Sequence, residues 1–235
     1  MSPATPASRW RRGLSWLWRS LLAVVVLDAL YLAWIWPDWD ALAQGAIPKS
    51  RFIQDYEAER RHAPDLPALR WQPLPLGRIP RQVQRAVIVA EDARFYAHSG
   101  IDLAALREAI EHNIDKGRVV YGASTLSQQT AKNLFLTASR DPLRKWHELV
   151  LTLVMEWRLS KSRILELYLN SAEFGRGIYG VEAAARHYWG IPAQALSGRQ
   201  AVELAATLPS PRLHNPRTRT RTFLHRARKI QGFLG

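Results

Sequence analysis

The chain has no cysteine among its 235 residues. Disulfide scaffolds, thiolate metal sites and cysteine nucleophiles are therefore excluded. No histidine pair stands at HExxH spacing and no GxxxxGK[ST] loop occurs, which removes zinc-protease and Walker-type nucleotide sites. Acidic residues are scarce: 33 Lys and Arg face 20 Asp and Glu, for a formal charge of +13. Between Pro211 and Gly235 there are seven Lys or Arg and no Asp or Glu. This balance favours polyanionic partners such as nucleic acid, anionic lipid headgroups or phosphorylated substrates, and composition does not choose among them. The basic C-terminal stretch reads either as an amphipathic end lying near acidic lipid or as a solvated helix face. Internal repeats and low-complexity segments are absent. The length suits one main folded domain plus an appendage.

Tryptophan, by contrast, is abundant, with ten residues. Trp10, Trp16, Trp18, Trp34, Trp36 and Trp39 bracket the apolar run Leu21–Trp36. The stretch Leu14–Trp36 would be about 34 Å long as a helix, enough to cross a hydrocarbon core of about 30 Å. Asp28 near its middle costs about 2.5–3.5 kcal/mol on an insertion scale. The Leu, Val and Ile residues of the run return about 3–5 kcal/mol on a comparable scale. Arg9, Arg11, Arg12 and Arg19 precede the apolar run, whereas Asp38 and Asp40 follow it. The positive-inside rule then places residues 1–13 in the cytoplasm, a single anchor at 14–36, and the remainder outside. Two alternatives are a signal peptide cleaved after Ala41-Leu42-Ala43 and a buried helix of a soluble protein. Tryptophans at both ends favour the uncleaved anchor.

Residues 37–78 carry Pro37, Pro48, Pro64, Pro67, Pro73 and Pro75, and are expected to form a semi-rigid stalk with a short helix near Asp55–Arg61. The domain proper is expected over 79–235 and is mainly α. Ile79, Val83, Ala86, Val87 and Ala90 follow helical spacing behind Pro80. Asp102 caps a helix expected to turn Leu103, Leu106, Ile110 and Ile114 inward. Asp141-Pro142 opens another, carrying Trp146, Leu149, Val150, Leu153 and Trp157. Ser160 or Ser162 precedes a helix with Ile164, Leu165 and Tyr168, and Ser197 with Gln200 forms a capping box. Arg118–Tyr121 is the one short strand candidate.

Three clusters could carry chemistry. Glu91-Asp92 ends an apolar helix, with Phe95, His98 and Gly100 close behind. A carboxylate at the exit of a buried segment is partly desolvated, which raises its pKa toward a useful range. Read alone, it is a helix end turning into solvent, and His98 alone is a structural histidine. Gly122-Ala123-Ser124-Thr125 then precedes Gln128, Gln129, Lys132 and Asn133. This is a capped helix whose polar face joins a lysine near a helix N-terminus, either an ordinary surface or a phosphate site. In the third cluster, Arg140, Arg144, Lys145 and Glu148, the Arg144–Glu148 pair is by default a surface salt bridge worth a few tenths of a kcal/mol. Functionally, its carboxylate would stay ionised and organise a diphosphate or a metal.

The joint order of these clusters is more specific than any one of them. Glu91-Asp92-x-x-Phe95-x-x-His98-x-Gly100 is followed by Gly122-x-Ser124-Thr125-x-x-Gln128-Gln129-x-x-Lys132-Asn133 and by Arg144-Lys145-x-x-Glu148. Lys161-x-x-Ile164-Leu165-Glu166-x-Tyr168-Leu169-Asn170 and Arg176-Gly177-x-x-Gly180-x-x-x-Ala184-Ala185 come next. This series closely resembles the five motifs of the family-51 peptidoglycan glycosyltransferases, from about Ile79 to Pro216. Ala123 and Trp189 are small departures.

The resemblance implies a lysozyme-like, two-lobed helical fold and lipid II, a disaccharide-pentapeptide on undecaprenyl diphosphate, as substrate. It implies β-1,4 polymerisation with inversion, with Glu91 as general base and Glu148 as the second acidic residue. Lys132, Arg140 and Arg144 would stabilise the diphosphate. Thr125, Gln129 and Asn133, with Ser124, would contact substrate, supported by Asp92, Phe95 and His98. No metal ligand is assigned, although a divalent cation, Mg or Mn, at the diphosphate near Glu148 is compatible with the pattern. The expected partners are lipid II, the growing strand, the bilayer and other cell-wall synthesis or division proteins, but not nucleic acid. The expected location is the bacterial inner membrane, with the catalytic domain periplasmic. No Ser-x-x-Lys nucleophile motif occurs, so a form without transpeptidase activity is expected. Rival readings are a glycan-cleaving lysozyme or lytic transglycosylase, which explains Glu91 but not the cations, and a basic membrane protein without enzymatic activity.

Overall fold

The structure is a computed structural model that describes residues 6–116, 124–139 and 141–235. The chain divides into two compact units, Met1–Asp38 and Trp39–Gly235. In the first, one helix (α1, Pro6–Trp34) contains a stretch, Leu14–Trp34, long and apolar enough to cross a membrane. It ends before Trp36 because Pro37 disfavours helical backbone in the residue that precedes it. Its Leu, Val and Trp side chains are exposed, as an anchor's would be before it meets lipid.

The second unit is mainly α, as expected, but it begins earlier than expected. Residues 39–78 are not a stalk. They contribute α2 (Trp39–Gln44), α3 (Arg51–His62) and a short strand, β1 (Arg70–Trp71). Ser50 caps α3, and Ile53 and Tyr56 are buried against Tyr179. Trp39 packs edge-on to Phe135 at 5.7 Å. Prolines stop helices, yet an extended chain can still be bound if its polar backbone finds partners. Those partners come from helix α8 (Lys161–Ser171): Leu76 N–H donates to Glu166 Oε1 at 2.6 Å and Leu74 N–H to Asn170 Oδ1 at 2.7 Å. Trp71 Nε1 donates to the Asn170 carbonyl at 3.0 Å. Two polar side chains, one of them charged, thereby hold a proline-rich segment against the domain.

β1 pairs parallel with β3 (Ile178–Tyr179), which pairs antiparallel with β2 (Glu173–Gly175). Strands of two or three residues are too short to display a period of two, so the sequence pattern did not reveal them. The expected strand at Arg118–Tyr121 lies outside the described residues. The β2–β3 turn needs glycine at Gly177, where φ is +75° and a Cβ would sit 2.6 Å from the Tyr56 hydroxyl. Gly177→Ala is expected to destabilise the domain by about 2–4 kcal/mol, combining the left-handed backbone penalty with the clash. Urea unfolding followed by tryptophan fluorescence measures it.

Two helical layers position the site. One packs α4 (Arg81–Glu91) against α10 (Gly198–Thr207) and α11 (Arg221–Leu234). Val83, Ala86 and Val87 are fully buried there, and Ala201, Ala205 and Ala206 allow close approach. The other packs α6 (Leu126–Phe135) against α7 (Pro142–Arg158) and α8. Between these layers in sequence lies α5 (Leu103–Lys116), whose first turn Asp102 caps by accepting from Ala105 N–H at 2.8 Å.

The apolar faces of α5 and α7 that were expected to turn inward are largely exposed. Leu103, Leu106, Ile110 and Ile114 of α5 are exposed, as are Trp146, Leu153 and Trp157 of α7, the last at 79%. On α7 the buried side includes His147, Glu148, Leu151, Thr152 and Met155. Periodicity shows that a helix has two faces but not which one meets protein. On α7 the polar His147, Glu148 and Thr152 turn inward together with Leu151 and Met155, whereas α5 is exposed on most of its surface, Arg107 and Glu111 included.

Candidate active site

Glu91 is the last residue of α4, and its side chain is 11% exposed. One carboxylate oxygen meets Arg226 Nη2 of α11 at 2.5 Å, and the other accepts from Gln129 Nε2 of α6 at 3.0 Å. Tyr168 on α8 donates its hydroxyl to Gln129 Oε1 at 3.1 Å. The Gln129 amide is thus orientated at both ends, with its donor side toward Glu91. Burial pushes the Glu91 carboxyl pKa up, against the opposing pull of Arg226, the Gln129 hydrogen bond and Lys132. The result is a carboxylate that is ready to accept a proton yet is held in one geometry.

Asp92 takes a different part. It leaves the helix and accepts from Leu126 N–H at 2.9 Å, at the start of α6. His98 Nε2 lies 3.0 and 3.1 Å from its two oxygens. Thr125 closes a capping box with Gln128 and donates to the Gly100 carbonyl at 2.6 Å. Phe95 is fully buried, with Lys161 Nζ 4.5 Å above its ring. Asp92, Phe95, His98 and Thr125 therefore tie the end of α4 to the start of α6, and this tie sets Gln129 opposite Glu91. Ligand atoms of Asp92, His98 and Asp102 lie within 4.8 Å of one another, close enough for a metal. Their carboxylates are already engaged, Asp92 by Leu126 and His98, and Asp102 by Arg94 and Ala105. The cluster reads as a clamp.

The third cluster is no surface salt bridge. The Glu148 side chain is 4% exposed, with Arg144 Nη1 at 2.7 Å from one oxygen and Lys145 Nζ on the other. Asp141 caps α7 by accepting from Arg144 N–H at 2.7 Å, and Pro142 opens the helix. Lys132, one turn of α6 beyond Gln129, stands 5.9 Å over the Phe52 ring. Burial pushes the Lys132 ammonium pKa down, Arg144 and Lys145 push the same way, and Glu148 and Glu91 oppose. Lys132 thus feels both carboxylates. Glu148 is one acid among three cations, two of which already hold its oxygens. These residues do not fit a resident divalent cation, whereas they suit a multiply charged anion. Asn133 is buried beside Lys132, and Arg140 lies outside the described residues.

A cleft of about 340 Å³ opens over Glu91, Asp92, Arg94, Asp102, Ser124 and Thr125. Ser124 also lines an apolar recess of about 350 Å³ formed by Ile101, Leu106, Gln128, Lys145 and Leu149. Of the residues singled out from sequence, Glu91, Gln129, Lys132, Arg144 and Glu148 converge, and Ser124 and Thr125 edge the cleft. Arg226 and the role of Tyr168 were not anticipated. Arg226 had a signal: it stands three residues after Phe223 and four before Ile230, both buried, so it shares the inward stripe of α11.

A family model described as Transglycosylase matches residues 65–232. The chain belongs to the transglycosylase family. A protein of Laribacter hongkongensis (strain HLHK9) described as a biosynthetic peptidoglycan transglycosylase is 40% identical over 223 residues, which is 93% of this chain and 96% of that relative. Relatives of the same description from Thiobacillus denitrificans (strain ATCC 25259 / T1) and Azoarcus sp. (strain BH72) are each 42% identical. They cover 96% and 95% of this chain and 96% and 94% of their own lengths. The family match begins at residue 65, inside the segment first read as a stalk, in keeping with its folded state. Within this transglycosylase-family domain the five motifs divide their labour. The first two line the cleft through Glu91, Asp92, Ser124 and Thr125, and the third gathers Arg144 and Lys145 on Glu148. The last two build the wall behind it, where Glu166, Asn170, Gly177 and Gly180 fix backbone, while Tyr168 reaches forward to Gln129 and Lys161 to the Phe95 ring.

Proposed function

We propose that the chain is a peptidoglycan glycan-strand polymerase that joins lipid II disaccharides with inversion, using Glu91 as general base. One observation carries the proposal: a desolvated carboxylate faces, across Lys132, a second carboxylate surrounded by cations. The first is suited to take a proton and the second cluster to hold a leaving anion. In the reaction, Glu91 removes the proton from the acceptor 4-hydroxyl as that oxygen attacks C1 of the lipid-linked sugar. The C1–oxygen bond to the diphosphate breaks, undecaprenyl diphosphate departs, and the α-linkage becomes β-1,4. Lys132, Arg144 and Lys145 neutralise the charge that builds on the departing diphosphate, where preorganised cations accelerate most. Ser124, Thr125, Gln129 and Asn133 are the expected sugar and phosphate contacts, and Arg140 joins the cations. Glu148 keeps those cations in register.

The exposed apolar sides of α5 and α7 border the recess that holds Leu106 and Lys145, and patches of this kind mark membrane or partner contact. They would rest in the outer leaflet, where a polyprenyl chain is found. The positive-inside reading of α1 puts the domain on the periplasmic side of the inner membrane. No transpeptidase step is assigned, because no Ser-x-x-Lys motif occurs in these 235 residues.

The test is purified protein with labelled lipid II and a readout of polymer length. Lysozyme-sensitive polymer is expected. Cleavage of preformed glycan without polymer would replace this reading with that of a hydrolase. In the same assay Tyr168→Phe is expected to slow polymerisation about fivefold, the value of one lost hydrogen bond that orientates Gln129. An unchanged rate would show that Gln129 holds its position without the hydroxyl.

A further inference from the structure

A second cavity, of about 340 Å³, shares no lining residue with the Glu91 cleft. It lies between the β2–β3 turn, the end of α9 (Val181–Trp189) and the loop that joins α10 to α11. Pro67, Ala68, Ile178 and Pro211 give it apolar walls, and four arginines reach it. Two of these are already paired, Arg212 with Glu173 at 2.8 Å and Arg176 with Glu59 at 3.3 Å. Among the described residues, Arg70 and Arg217 form no ion pair with any carboxylate.

Both are held at the backbone. Arg70 N–H donates to the Gly177 carbonyl at 2.8 Å within the sheet. The buried Asn215 side chain accepts from Arg217 N–H at 3.0 Å and Thr218 N–H at 3.1 Å, and donates to the Pro211 carbonyl at 3.0 Å. Tyr188 forms a fixed wall, its hydroxyl donating to the Phe174 carbonyl at 2.6 Å. His187 also lines the cavity. Its carbonyl accepts from Arg217 Nη2 at 3.3 Å, and its Nδ1 is buried with no hydrogen-bond partner. Burial, then Arg217 and Arg70, push the His187 pKa down, which favours the neutral ring.

Two guanidiniums without a carboxylate partner at the edge of an apolar pocket form an incomplete polar set. We propose that this cavity is a binding site for an oxyanion carried on a small aliphatic group, with Arg70 and Arg217 as paired anion holders. Guanidinium forks match a carboxylate or a phosphate oxygen pair, and the apolar walls accept the adjoining carbon. The ligand class is a carboxylate-ended peptide or a phosphoryl group.

The full-length protein in detergent is titrated with N-acetyl-alanyl-alanine, with its C-terminal amide, and with inorganic phosphate. Heat of binding is followed together with the His187 ring signals by NMR. The acid is expected to bind and shift His187, and the amide to fail. Arg70→Gln and Arg217→Gln are each expected to weaken binding on the order of tenfold, while exposed Arg199→Gln leaves it unchanged. Thermal unfolding confirms that each variant is folded, and Arg→Lys at either position should recover part of the affinity. Tighter binding of phosphate than of the acid, with the same arginine dependence, supports the site and assigns it to phosphoryl groups. Absence of binding by both anions, or binding untouched by both substitutions, overturns it.

Discussion

Glu91→Gln is expected to lower lipid II polymerisation about 10²–10⁴-fold while the protein stays folded, the range for removal of a positioned general base. Gln keeps the size of the side chain and can still accept a hydrogen bond from Gln129, so the loss belongs to proton transfer and not to a collapsed cleft. The pH profile gives a second reading. Burial holds the Glu91 pKa above its ordinary 4.5, and the base works only when deprotonated. Activity should therefore fall as the pH drops through that raised value, and the acid limb should disappear from the residual activity of the variant. A variant that polymerises within threefold of wild type would remove Glu91 from the role.

Lys132→Met is expected to cost about 10²–10³ in rate, the range for one preorganised group that stabilises transition-state charge. Substrate affinity should fall less than turnover, since the charge on the diphosphate grows as the bond to C1 breaks. Burial holds the Lys132 pKa below its ordinary 10.5, so activity should decline as the pH rises through that lowered value. Lys132→Arg keeps a charge that does not titrate in this range, and should retain part of the rate while moving the alkaline limb upward. If Lys132→Met instead raises only KM, the lysine binds substrate without aiding departure of the diphosphate.

Arg226 shows why such a site cannot be assembled from linear motifs alone. It lies 135 residues from Glu91, outside every motif, yet is the nearest cation to the carboxylate. It tempers the burial of Glu91, so the base is desolvated without being forced wholly neutral. Its i−3 and i+4 apolar neighbours were legible, but a basic stretch lacking acids suggested a solvated or lipid-facing helix. Only the packing of α11 on α4 shows that one of that helix's four cations turns inward.

The exposed apolar residues of α5 and α7 teach a related lesson. Spacing located both helices, and Asp102 and Asp141 marked their starts, because caps and periodicity are local properties of backbone and side chain. Which face is covered depends on what the other elements leave open. On α7 the polar His147, Glu148 and Thr152 are turned in, Glu148 onto its cations, so the usual assignment of apolar to inside fails there. The proline-rich segment failed for the complementary reason. Its bonding partners, Glu166 and Asn170, are about 90 residues away, and no local pattern reports them.

Local rules in the sequence determined the helical class, the membrane-length α1, most helix starts and the ordered residues that mark the family. Glu91, read alone, stayed an ordinary carboxylate at a helix exit. The tertiary structure decided that it is desolvated, that Gln129 and Arg226 hold it, and that Lys132 feels both it and the buried Glu148. Those are distances and dielectric surroundings, created when segments far apart in the chain pack together. They convert a pattern of residue types into groups with a direction and a charge state.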